Sequence, residues 1–91
     1  GYYKTGAYGI RIENLVTVIK QQDRKRNKKE SLAFETLTLA PIDLNLVEVP
    51  LLNTEEKSWL NTYHERVQKI ISPLVDSTTR RWLKSATKPI K

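Results

Sequence analysis

Apolar side chains fall on both parities of the chain between Ile10 and Lys20. Ile10, Ile12, Val16 and Val18 share one side; Leu15 and Ile19 share the other with Arg11, Glu13 and Thr17. Successive residues of a strand point to opposite faces, so this run predicts a strand covered on both sides. Leu32–Ala40 is rich in apolar and β-branched residues and predicts a second strand, stopped by Pro41. The polar stretch between Gln21 and Ser31 joins the two, which predicts an antiparallel hairpin with a long charged loop. Ahead of it, the glycine-punctuated segment Tyr2–Gly9 reads as a turn or loop leading into the first strand.

The period then changes. Ile42–Leu52 is a mixed apolar segment, either a short strand around Leu46–Val49 or an extended connector. Asn53 or Thr54 caps a helix; with Asn53 at the N-cap, Glu56 occupies the third helical position and completes a capping box. Trp59, Leu60, Tyr63, Val67, Ile70, Ile71 and Leu74 follow as one helical stripe. Pro73 ends or kinks its last turn. Thr78 or Thr79 opens a shorter helix carrying Trp82 and Leu83, which stops near Thr87 ahead of Pro89.

This inventory does not close on itself. A strand apolar on both faces needs a layer on each side, and a two-stranded hairpin is not stable alone. One long and one short helix are too little cover, so the sequence is expected to be the tail of a larger domain. The absence of methionine agrees, since the chain is then processed or a piece of something longer. Without cysteine there is no disulfide framework and no thiolate metal site. No apolar run approaches transmembrane length, so no membrane is expected as a partner. Net charge is +6, but Lys20–Glu30 holds six basic and two acidic residues, +4, leaving ten against eight, +2, elsewhere. One basic loop on a nearly balanced chain argues against a nucleic-acid groove, and no aromatic residue interleaves the loop for stacking.

Glu13 is the one residue singled out for chemistry. It lies two positions from Arg11 in an apolar run, so the two project together, and a buried charge demands a partner or a metal. Hard cations need several oxygen ligands, so one carboxylate makes no site. His64, on the long helix beside Tyr63, reads as a surface or packing residue. Tyr2, Tyr3 and Tyr8 read first as packing around a glycine turn, with the lining of a substrate cleft as the alternative, and Trp59 and Trp82 read as core; an exposed tryptophan pair would instead indicate a docking surface.

Gly1–Asn14 resembles the sequence that closes the active site of aminopeptidase P (X-prolyl aminopeptidase), of the pita-bread metallopeptidase family. Leu32–Ile42 resembles the segment after that family's last metal-ligand strand. Thr54-Glu55-Glu56, Trp59-Leu60-Asn61 and Tyr63-His64 are similar to the helix of its C-terminal extension. Trp82-Leu83, Ala86-Thr87 and Pro89 are similar to that extension's end. The likeness spans nearly all 91 residues and is weakest in the basic loop.

The resemblance implies an α+β fold, the C-terminal fragment of a pita-bread domain with antiparallel hairpin strands followed by two helices. Residues 1–52 would end the catalytic domain and 53–91 would form its helical extension. It implies two divalent metals, manganese foremost, held by two Asp, one His and two Glu. Glu13 matches the Glu that bridges both ions, with Arg11 orienting ligand carboxylates, balancing the Glu13 charge, or both; the other ligands would precede Gly1. The implied reaction is hydrolysis of the bond between an N-terminal residue and proline, in the cytoplasm, by the intact enzyme and not by this piece, which would bind no metal by itself. The partners implied are a peptide with proline second, the remainder of the same polypeptide and a possible homodimer. The competing reading is a non-catalytic dimerisation or docking module built on the C-terminal helices. Nucleic-acid binding through the basic loop ranks last.

Overall fold

The computed structural model describes residues 1–22 and 30–91. In chain order these form β1 (Tyr2–Lys4), β2 (Tyr8–Ile10), β3 (Val16–Gln22), β4 (Glu30–Thr36), α1 (Thr54–Ile71) and α2 (Ser77–Ala86). Short 3-10 turns lie at Leu44–Leu46, Val49–Leu51 and Ser72–Leu74. The chain divides into two compact units, Gly1–Thr38 and Leu39–Lys91. The α+β class expected from the sequence, antiparallel hairpins followed by two helices, is what forms.

In the first unit, β1 and β2 make a small antiparallel hairpin where a turn or loop was expected. Gly6 turns the chain with φ 74°, a conformation open to glycine at little cost, while the Ala7 N–H donates to Lys4 O at 3.0 Å. Gly9 faces Tyr3 across the hairpin, and a Cβ there would meet the Tyr3 ring at 2.7 Å. The ring thus occupies the space that a side chain at position 9 would need. Tyr2 and Tyr8 lie tilted with ring centroids 6.0 Å apart.

The strand expected from Ile10 starts only at Val16. The β1–β2 ladder ends at Tyr2↔Ile10 and the β3–β4 ladder begins at Val16↔Thr36, so residues 11–15 lie between two ladders and pair in neither. Leu15 closes the open end of the second hairpin: its N–H donates to Thr38 Oγ1 at 2.7 Å and its carbonyl accepts from Leu37 N–H at 2.7 Å. Strands β3 and β4 pair antiparallel through Gln22↔Glu30, as anticipated, and the tip of the basic loop, 23–29, lies outside the described residues. Val18, Phe34 and Leu32 share one face and Ile19 lies on the other. All four are exposed, Leu32 and Phe34 by more than seven-tenths. Both faces carry apolar residues, and none of the described residues of this unit covers them.

The second unit has its own core. Tyr63, Val67 and Leu83 are buried together, with Leu39, Ile42 and Ile71 packed against them, and Leu60 is buried on the same side of α1. The capping box is formed: Glu56 N–H donates to Asn53 Oδ1 at 2.8 Å and Asn53 N–H to Glu56 Oε1 at 3.0 Å. The helix ends at Ile71, where Pro73 holds a final 3-10 turn. Asp76, and not Thr78 or Thr79, caps α2; its Oδ1 accepts from Thr79 N–H at 2.7 Å. Arg80 fastens the connection, Nε donating to Ser72 O at 2.9 Å and a terminal nitrogen to Val75 O at 3.0 Å. The short strand considered at Leu46–Val49 is replaced by two 3-10 turns, the first capped by Asp43. Trp59 and Trp82, expected in the core, are 52% and 59% exposed. Trp59 lies flat on Tyr63, centroids 5.3 Å apart, so its ring shields the phenol from one side only. Among the described residues no helix is long and apolar enough to cross a membrane.

Candidate functional site

Arg11 and Glu13 come together as the i, i+2 spacing predicts, Nε 3.6 Å from Oε1. They do so on the connection between the hairpins and in the open: the side chains are 61% and 68% exposed. The expectation of a buried charge pair is therefore corrected, because residues 11–15 pair with no strand that would draw them into a sheet. At this exposure the ion pair stabilises the chain by at most about 1 kcal/mol, and it does not consume the carboxylate. Glu13 offers a hard oxygen donor of the kind divalent cations take, but no group of three or more His, Cys, Asp or Glu that could hold a metal exists among the described residues.

His64 is no candidate ligand. It is 1% exposed, and Nε2 accepts the Ile42 N–H at 2.9 Å, so the lone pair a metal would need is already used. Nδ1 is buried and has no hydrogen-bond partner among the described residues. Burial holds the imidazole pKa below its ordinary 6.5. Next to it, the Tyr63 hydroxyl donates to Ala40 O at 2.8 Å and accepts from Ala40 N–H at 3.3 Å. Two neighbouring side chains of α1 thus grip the backbone of residues 40–42. The packing role expected for His64 is correct and the surface alternative is not. The signal was present in the sequence: Leu60, Tyr63, His64 and Val67 have core spacing, and a polar residue inside such a stripe must find a partner.

A second clamp fixes the segment after α2. The Asn61 side chain donates to Ile90 O at 2.9 Å and accepts from Ile90 N–H at 2.8 Å, pairing with backbone as another strand would. Between this clamp and α2 lies an open cavity of about 580 Å³ whose charged lining is Arg81, Lys84 and Lys88 against Glu65.

The comparisons with known proteins agree with one another. The family described as the C-terminal region of peptidase M24 matches residues 30–90. Aminopeptidase P1 of Lotus japonicus is 45% identical over 93 residues, which cover 99% of this chain and 14% of that protein. A probable Xaa-Pro aminopeptidase P of Coprinopsis cinerea is 44% identical over 94 residues, 99% of this chain and 15% of the relative. Among solved structures, X-prolyl aminopeptidase of Caenorhabditis elegans, described as a cytosolic enzyme with a di-nuclear active site, superposes with a TM-score of 0.79 at 36% identity. That match covers 98% of this chain and 15% of the other. The chain spans about one-seventh of the relatives it matches, and it belongs to the peptidase M24 family as a C-terminal region of that family's pita-bread enzymes.

Proposed function

We propose that this chain serves in a dinuclear metalloaminopeptidase that hydrolyses the bond between an N-terminal residue and proline, with manganese as its metal and the cytoplasm as its place of work. The observation that carries the reading is the likeness, over 98% of the chain, to an X-prolyl aminopeptidase described as having a di-nuclear active site. In this reading residues 1–52 end the catalytic domain and 53–91 form a helical extension. Glu13 contributes one carboxylate to the two ions, and Arg11, already 3.6 Å away, orients that carboxylate. Two bound divalent ions would polarise the scissile carbonyl and activate water. The bare faces of the β3–β4 hairpin support the same reading, since they call for further layers from the rest of a longer polypeptide.

Glu13→Gln in the intact protein keeps the shape and removes the charge. We expect cleavage of an X-Pro peptide to fall at least about a hundredfold while circular dichroism is unchanged and the bound metal drops below two per chain. Full activity with two metals bound removes Glu13 from the site. Chelation of the wild-type protein tests the larger claim separately, because unimpaired X-Pro cleavage without metal overturns the metalloenzyme reading whatever Glu13 does.

The exposure of Trp59 and Trp82 favours a second, compatible reading, a docking or dimer surface on the helices. Trp59→Ser with Trp82→Ser should then lower the mass measured by light scattering of the intact protein. An unchanged mass at micromolar concentration counts against that reading.

A further inference from the structure

The grip on residues 40–42 has a property that a purely apolar contact would lack. Nε2 of His64 accepts the Ile42 N–H at 2.9 Å, so it carries no proton, and the proton of the neutral ring sits on Nδ1. Adding a proton turns Nε2 from acceptor to donor and sets two N–H groups nose to nose. It also leaves a cation in a site that is 1% exposed, where Nδ1 already lacks a partner among the described residues. We infer that His64 is an acid-operated latch: unprotonated it holds the Ala40–Ile42 backbone against α1, and protonated it lets that backbone go.

The groups around the ring do not counter this. Tyr63, its neighbour on α1, has its ring centroid 5.7 Å from the imidazole and its hydroxyl engaged with Ala40. On the gripped segment the next charged residue is Asp43, whose carboxylate accepts from Asn45 N–H at 3.0 Å. On α2, Leu83 and Thr87 are buried, and Thr87 bonds within its own helix. Desolvation alone accounts for the lowered His64 pKa, with no carboxylate acting to hold the imidazolium. The sign follows from linkage. Above the free value of 6.5 both the gripped and released forms are neutral and the latch is at full strength. As pH falls below that value the released form takes the proton first, so the latch weakens through the window down to the lowered value of the gripped form. Within that window the released fraction rises by up to about tenfold per pH unit.

Hydrogen exchange followed by mass spectrometry on the intact protein reads this directly. Protection in the peptide spanning Leu39–Leu44, corrected for intrinsic exchange, should fall about tenfold between pH 7 and pH 5, while α1 peptides after Val67 hold theirs. His64→Gln supplies an amide oxygen that accepts and does not titrate, so its protection should be flat across the same range. Tyr63→Phe removes the other half of the grip, lowers protection at every pH and keeps the pH dependence. The inference is overturned by equal pH dependence in His64→Gln, by its disappearance in Tyr63→Phe, or by a wild-type midpoint above 6.5. Should His64→Gln fail to fold, the wild-type midpoint and the Tyr63→Phe profile decide.

Discussion

The two units of this chain handle apolar surface in opposite ways. In residues 39–91, α1 and α2 bury Tyr63, Val67 and Leu83 against Leu39, Ile42 and Ile71, and each helix has a side-chain cap of its own. In residues 1–38, Val18, Ile19, Leu32 and Phe34 stand open on a two-stranded ladder, and the groups of chemical interest, Arg11 and Glu13, sit on a connection that belongs to no ladder. The helical unit is built to hold together by local means. The strand unit displays a carboxylate and two apolar faces that its described residues leave uncovered, the arrangement that the proposed role of Glu13 as a contributed ligand would use.

That contrast can be broken most sharply at the two ends of the burial scale. Leu83→Ala should cost about 3 kcal/mol, read by chemical denaturation, because the residue is closed in from all sides. Phe34→Ala should cost less than about 0.5 kcal/mol if the strand face is bare in the intact protein, and about 3 kcal/mol if an added layer covers it. The second value is what the proposed enzyme requires. A smaller effect is expected of Asn53→Ala, about 1 kcal/mol, through loss of both halves of the capping box at the start of α1. The smallest change concerns Asp76, whose carboxyl is held below the ordinary 3.8, first by the backbone hydrogen bond from Thr79. A lowered carboxyl pKa adds stability above the unfolded value and loses it as pH falls through the folded one. Asp76→Asn should therefore shallow the acid limb of a melting-temperature profile below about pH 4 and leave the neutral plateau nearly in place.

Much of the helical unit was legible because its signals are local. Asn53 with Glu56, and Pro73, act on neighbouring residues, and the structure places the ends of α1 where they predict. The facing of α1 was read less well. A helix advances about 100° per residue, so Leu60, Tyr63, His64 and Val67 centre the buried arc, and Trp59 falls near its edge. Membership of the stripe suggested core; the angle gives a partly covered ring. Trp82 is one step from Leu83 and is turned away for the same reason. In the strand unit the apolar run Ile10–Lys20 marked a strand that forms only from Val16 onward, and it could not show where pairing stops. That limit is set by the lengths of the partners, which end at Tyr2 and Thr36. The placement of Arg11 and Glu13 on one side was readable from their spacing, whereas their exposure depends on chain that pairs with neither.

The hydrogen bonds by which Tyr63 and His64 grip this segment go to peptide groups, at positions 40 and 42. Between them stands Pro41, a residue with no N–H to leave unsatisfied, and Ala40 is exposed. Such a handhold is indifferent to the letter written at position 40: many side chains would be tolerated there, provided the tyrosine and the histidine keep their hold on the backbone amides beneath.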